Sequence, residues 1–205
     1  MPSQSKFLVI EGSNGVGKST IVEYLKQRTG AVSFHYPPEF LNFRREVRLD
    51  ESLEPLPRLS YYLAATLHLS DLVREQLTRS DVICDRYLAS PLSLMIGESV
   101  IEEENVRRLV QPFLAYLCLP EITLFLTSSY PVACGRIRSR TTKSGTLTPV
   151  AQKMMESENF FRERNEAGRR WSARLSPMVE LDTTDLSSQQ MCDAAWSLLT
   201  STFNW

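Results

Sequence analysis

Short apolar runs alternate along this chain with longer stretches whose apolar residues recur at helical spacing. The β-rich runs predict strands at 6–11, 31–36, 81–85, 121–127 and 178–182. The periodic stretches predict helices near 18–28, 40–49, 57–78, 102–117, 130–140, 150–174 and 186–201. On the third of these, Leu59, Tyr62, Leu63 and Leu67 fall on one side and give the helix an apolar face. Pro37-Pro38 and Pro55-Leu56-Pro57 punctuate the segments around the second helix. Strands separated by helices are the pattern of a parallel sheet covered on both faces, so the fold class expected is α/β.

Composition narrows the picture. A chain of 205 residues with 42% hydrophobic and 23% charged residues suits one soluble domain with a sizeable core and a small mobile insert. No apolar run approaches a membrane span, and residues 1–6 form a polar leader without the look of a signal peptide. A cytoplasmic protein with no membrane partner is expected. The cysteines at 84, 118, 134 and 192 show no metal-ligand or redox spacing, which favours free thiols. A formal net charge of −1 offers no overall attraction to nucleic acid. The charge is uneven, however. Ten basic residues lie between Arg136 and Arg174 against four glutamates. They read either as a solvated helix face or as a cluster closing over polyphosphate.

Candidate chemistry begins at Gly12-Ser13-Asn14-Gly15-Val16-Gly17-Lys18-Ser19-Thr20, which satisfies the phosphate-loop pattern G-x-x-x-x-G-K-[ST]. A predicted strand precedes it and a predicted helix follows, the context this motif needs. Converging backbone N–H groups and a helix N-terminus would cradle phosphate oxygens. Lys18 would reach the outer phosphates, and the Ser19 hydroxyl would hold a magnesium ion. The motif implies a nucleoside triphosphate site.

Two further signals lie downstream. Asp81-Val-Ile-Cys-Asp85-Arg86-Tyr87 ends an apolar strand in an acid followed by a base. Beyond the carboxyl end of a parallel strand, Asp85 could hold magnesium or its water shell while Arg86 reaches a second anion. The alternative is a surface salt bridge. In Arg136-Ile-Arg138-Ser-Arg140, residues 136 and 140 share a helix face. One guanidinium can stack on a purine and the other can neutralise a phosphoryl group in flight.

With these pieces in place the chain resembles the thymidylate kinase family of P-loop nucleotide kinases. The resemblance rests on Glu11-Gly12 through Thr20, Tyr62-Leu-Ala-Ala65, Asp85-Arg86-Tyr87-Leu-Ala-Ser90, Pro120 through Leu126, Arg136 through Arg140, and Leu181-Asp-Thr-Thr184. They occur in the family's order over about residues 6–200. The resemblance implies a P-loop three-layer sandwich with a five-stranded parallel core, residues 1–205 forming one kinase domain, and a lid at about 136–150. It implies transfer of the ATP γ-phosphate, with Mg2+, to a nucleoside monophosphate such as a pyrimidine deoxynucleotide, dTMP or a relative. Carried over, Lys18, Asp85, Arg86 and Arg140 are catalytic. Arg86 grips the acceptor phosphate, and Ser19 and Asp85 serve the metal. Residues Ser13 to Thr20, Arg136, Thr183 and Thr184 line the ATP site, with Arg136 against adenine. Asn14, Tyr62, Leu63, Leu67 and Ser90 fall at acceptor positions. A homodimer through the outer helices is also implied.

The chain departs from the family pattern at three of these positions. Asn14 stands where an acid is usual, Leu67 where an arginine reads the base edge, and Leu63 where an aromatic stacks. A site whose donor becomes leucine discriminates bases differently.

Other readings remain. Related deoxynucleoside kinases place a glutamate after the second strand as base toward a sugar hydroxyl, and Glu39 falls there. Arg44, Arg45 and Arg48 just beyond suit an acceptor phosphate instead, with Arg45 the acceptor candidate, although an exposed amphipathic helix explains all of them. A switch or transport module is disfavoured, since no N-K-x-D element or second glycine-rich signature is present. His35 and His68 read as packed or capped residues, and Trp171, Trp196 and Trp205 as core or docking residues.

Overall fold

The computed structural model describes residues 5–38, 53–144 and 147–203. Five parallel strands form its sheet in the order β2-β3-β1-β4-β5. The central strand β1 (Phe7–Gly12) is buried throughout, with β3 (Val82–Asp85) and β4 (Ile122–Thr127) beside it. The edges are β2 (Val32–His35) and β5 (Met178–Asp182). Apolar residues on both faces are what a doubly covered parallel sheet requires. Phe7 and Val9 enter one core with Cys84, Tyr87 and Trp171, while Leu8 and Ile10 enter the other with Ile21, Leu25 and Leu124.

The second of these cores is closed by α1 (Lys18–Thr29) and α8 (Ser188–Phe203). The first is closed by α2 (Pro55–Gln76), α3 (Ala89–Gly97) and α7 (Glu158–Leu175). Between them run α4 (Glu103–Val110), α5 (Tyr130–Ser144) and α6 (Pro149–Glu156). Strand register pairs Ile10 and His35 with Asp85, Gly12 with Leu126, and Thr127 with Asp182. The segments after β1, β3, β4 and β5 therefore leave the sheet at one carboxyl edge, where ligands of such sheets gather.

The predicted strands coincide with the observed ones to within a residue or two at each end. The helices depart in three places. Helix α3 was unexpected, because Ala89-Ser-Pro-Leu-Ser-Leu-Met-Ile-Gly97 is buried nearly all round and offers no amphipathic period. The single helix expected over 150–174 is two, because Ser157 turns extended and caps α7, its hydroxyl accepting from the Phe160 N–H at 3.1 Å. The helix expected over 102–117 ends at Val110 and continues as a tighter 3₁₀ turn, Gln111–Tyr116, with a proline near its start. The helix expected over 40–49, and with it Glu39, Arg44, Arg45 and Arg48, lies outside the described residues, as does Trp205.

Of the tryptophans, Trp171 is core, while Trp196 is half-buried under the Arg28 guanidinium. His35, expected to be packed or capped, is mostly exposed, because β2 is an edge strand. The four cysteines are free thiols. Among the described residues no helix is long and apolar enough to cross a membrane.

Candidate active site

Where β1 ends, Gly12 adopts φ 132°, and a Cβ there would collide with the carbonyl of Leu126 on the paired strand. Only glycine permits this turn against β4. The loop then feeds α1, whose N-cap Gly17 supplies no side-chain cap. The first N–H groups of the helix are thus left for a ligand, at the positive end of the helix dipole. Lys18 is buried, and its Nζ donates to the Ser13 carbonyl at 2.5 Å. Burial and the nearby Arg86 charge pull its pKa well below the usual lysine range. This ammonium rests on its own loop's carbonyl, a place a phosphate oxygen could take.

Asp85 ends β3 beside that loop. The Ser19 hydroxyl donates to its Oδ2 at 3.3 Å, and His35 Nδ1 lies 3.4 Å from the same oxygen. Burial alone would raise the carboxyl pKa, but the His35 hydrogen bond and the Lys18 and Arg86 charges outweigh it and hold it at about 2. Asp85 Oδ1 is buried and has no hydrogen-bond partner among the described residues. An ionised carboxylate with one oxygen unspent, next to a serine hydroxyl at the phosphate loop, fits a divalent cation shared with phosphates.

Arg86 follows at φ 76°, a left-handed conformation that is costly for a residue with a side chain. Glu11 supports it from the neighbouring strand. One Glu11 oxygen accepts the N–H groups of Tyr87 and Ser90, at 2.8 and 3.2 Å, and the other accepts the Ser90 hydroxyl at 2.6 Å. Helix α3 has no side-chain cap of its own, so Glu11 serves as its cap from across the sheet. Burial raises the Glu11 pKa against the lowering effect of Arg86. The Arg86 guanidinium, thus aimed, donates to the Gly12 carbonyl at 3.0 Å, Ser90 Oγ at 2.8 Å and Asn14 Oδ1 at 2.5 Å.

On the other side of the loop, Arg136 of α5 donates to Thr183 Oγ1 at 2.9 Å and to the carbonyls of Thr183 and Leu186 at 2.7 and 3.2 Å. Thr183 is fully buried, with its hydroxyl within 3.0 Å of the Val16 carbonyl. Thr184 bonds Asp182 and accepts from the Ser129 N–H, so this turn is held on both sides.

The fold therefore gathers Ser13, Asn14, Lys18, Ser19, Asp85, Arg86 and Ser90 at one point, with Arg136, Thr183 and Thr184 beyond Gly15 and Val16. Thr20 and Arg140 are exposed. Tyr62 and Leu63 are buried in the core, and half-buried Leu67 packs against it. Sequence reasoning missed Glu11 as a support, and it missed Arg164 and Asn165 of α7. Asn165 Oδ1 accepts the Ser13 hydroxyl at 2.5 Å, and Arg164 is 6% exposed. Only tertiary packing brings α7 to the loop, although the burial of Arg164 could have been suspected from its place between Phe161 and Gly168 on the helix's apolar side. Most other basic residues of this segment form a solvated face: Lys153 pairs with Glu98, Arg162 with Glu158, Arg169 with Glu180, and Arg170 and Arg174 with Glu103.

The thymidylate kinase family model matches residues 10–183. The thymidylate kinase of Mycoplasma genitalium is 28% identical over 157 residues, covering 65% of this chain and 69% of the relative. The thymidylate kinase structure from Candida albicans superposes with a TM-score of 0.70 at 16% identity, covering 98% of this chain and 93% of that one. Deoxyadenosine kinase from M. mycoides superposes with a TM-score of 0.69 at 17% identity, covering 95% and 99%. Identities this low establish a common fold and leave the acceptor open. The family model spans the phosphate loop, Asp85 and Arg86, and this chain belongs to the thymidylate kinase family.

Proposed function

We propose that the chain transfers the γ-phosphoryl group of ATP to the phosphate of a nucleoside monophosphate, a pyrimidine deoxynucleotide such as dTMP or a relative. The observation that carries this reading is Arg86, held in a left-handed turn by Glu11 and aimed across the mouth of the phosphate loop. The fold maintains a strained backbone and a buried carboxylate to present that one guanidinium, and a second anion is what it suits.

In this reading the N–H groups from Ser13 to Thr20 cradle the ATP phosphates and Lys18 leaves the Ser13 carbonyl for the outer ones. Ser19 and Asp85 would hold magnesium, which would supply charge neutralisation at the phosphates. Arg136 and Thr183-Thr184 border the adenine. Arg140 acts from a lid spanning about 136–150 within a single kinase domain. Asn14 and Ser90 position the acceptor with Arg86, while Tyr62, Leu63 and Leu67 back its base. The attacking phosphate oxygen is already ionised near neutral pH, so no general base is required. Rate comes from aligning two anions and neutralising their charge.

A coupled assay of ADP release across dTMP, dCMP, dUMP and the matching nucleosides tests this. Turnover is expected with a monophosphate and not with nucleosides, and Arg86→Ala is expected to lower kcat/KM by about 10²–10⁴-fold. Phosphorylation of nucleosides with no activity on any monophosphate would overturn the reading.

A further inference from the structure

Arg164 is the one buried basic residue of α7, and its surroundings differ from those of its neighbours. Its Cβ lies against Gly97 of α3, where an added methyl would come within 3.1 Å, so the side chain is clamped between the two helices. Arg162, Arg169, Arg170 and Arg174 of the same helix each meet a carboxylate at the surface. Arg164 has none among the described residues. Its guanidinium donates to Met154 Sδ at 3.2 Å, and a thioether is a weak acceptor. A 6% exposed cation with so poor a partner is costly to keep.

Its position gives the reason for keeping it. Arg164 lines a narrow cleft with Glu11, Gly12, Ser13, Ser90 and Asn165. Arg86 bonds two residues of that same lining, Gly12 and Ser90. Lys18 and Arg86 both act on Arg164 electrostatically. Burial and the Arg86 charge pull its pKa down to about 9, which leaves it a cation at neutral pH. Three basic side chains thus converge on the cleft, with Glu11 and Asp85 beside them and Glu98 also acting on Arg164. Lys18 and Arg86 already rest on oxygen acceptors, and Arg164 is left with sulfur. A phosphate group would supply the oxygen acceptor that Arg164 lacks. In the proposed reading the loop and Lys18 would face the phosphates of ATP, and the lining shared with Arg86 would face the other anion.

We propose that Arg164 is a second guanidinium for the acceptor's phosphate, closing on it from α7 opposite Arg86. The inference rests on the reading that the acceptor is a monophosphate. It adds a consequence: a neutral nucleoside would leave this cation buried and unpaired, so the site rejects uncharged acceptors by the cost of an empty contact.

The test compares the wild type with Arg164→Met and Arg164→Lys in steady-state kinetics with ATP and acceptor each varied while the other is saturating, using dTMP, dCMP, dUMP and dAMP, alongside thermal melts with and without dTMP. Arg164→Met is expected to melt no lower than the wild type, because an apolar side chain replaces an unpaired buried charge. The acceptor KM should rise about 10–100-fold by a similar factor for every base, with the KM for ATP unchanged, and the dTMP-induced rise in Tm should disappear. Arg164→Lys, which keeps the charge and loses the fork, should fall between the two. Should the Met variant fail to fold, the Lys variant is read alone: a several-fold rise in acceptor KM supports the proposal and a wild-type value overturns it. A rise confined to one base would place the guanidinium on the base edge and overturn it as well. A wild-type enzyme active on nucleosides alone defeats the underlying monophosphate reading before any variant is made, whereas monophosphate turnover with an unchanged KM in Arg164→Met defeats this inference and leaves that reading standing.

Discussion

Arg136 and Arg164 leave the same basic stretch, and both turn inward toward the phosphate loop. Arg136 finds three backbone carbonyls, of Gly15, Thr183 and Leu186, and the Thr183 hydroxyl. Arg164 finds a methionine sulfur. The first ties the end of β5 to α5 and is part of what holds that wall together without any ligand. The second is charge stored in a wall built from α3 and α7. One side of the cleft is thus tied by backbone acceptors, and the other holds a guanidinium whose acceptor is a sulfur. That contrast predicts which substitutions cost stability and which cost binding.

The largest effect falls where the two walls meet. Lys18→Ala should lower kcat by about 10³-fold or more while leaving the melting temperature at or above the wild-type value, since the ammonium is buried with its pKa depressed. Wild-type turnover in a folded Lys18→Ala protein would remove the phosphate loop from the mechanism.

Glu11→Ala comes next and should break the acceptor wall from below. It strips three hydrogen bonds from the start of α3 and releases the strained Arg86 turn. A stability loss of about 1–3 kcal/mol is expected, measured by urea unfolding, with a 10–100-fold fall in kcat/KM carried mainly by the acceptor KM. A loss of stability without a change in that KM would separate the cap from the aim of Arg86.

Arg136→Ala sharpens the contrast. It should cost about 2 kcal/mol of stability and raise the KM for ATP roughly tenfold, with the acceptor KM held. An Arg136→Ala protein as stable as the wild type would show that the donor wall is no more complete than the acceptor wall.

The smallest effect is a proton count. Lys18 in the ligand-free fold has a pKa well below its value in the unfolded chain. ATP phosphates favour the charged amine and raise that pKa, so binding should take up a fraction of a proton. Affinity should fall as pH rises through the depressed pKa of Lys18, because the amine is then neutral before binding and must be protonated. Calorimetry in buffers of different ionisation enthalpy checks the sign, and proton release on binding would contradict it.

The phosphate loop was legible because its function lives in the backbone. Glycines at fixed spacing between a strand and a helix leave few other uses for the segment. Asp85-Arg86 was legible for a related reason, since a charged pair ending an apolar strand must lie at the carboxyl edge of the sheet. Helix α3 was not, because a helix buried all round has no period to read. The uniform basicity of 136–174 likewise concealed Arg164, which faces inward among paired arginines.

Local pattern was enough to determine the five strands, the loop and the acid–base pair, since each depends on neighbours a few residues away. Glu11 capping a helix that begins near residue 89, His35 reaching Asp85, and Arg164 and Asn165 arriving at a loop more than 150 residues earlier are contacts made through the sheet order and the packing of α3 on α7. Whether a charge is solvated or stored depends on what surrounds it in space. For Arg164 that was decided by Gly97, Met154 and the cleft, none of which its own helix could reveal.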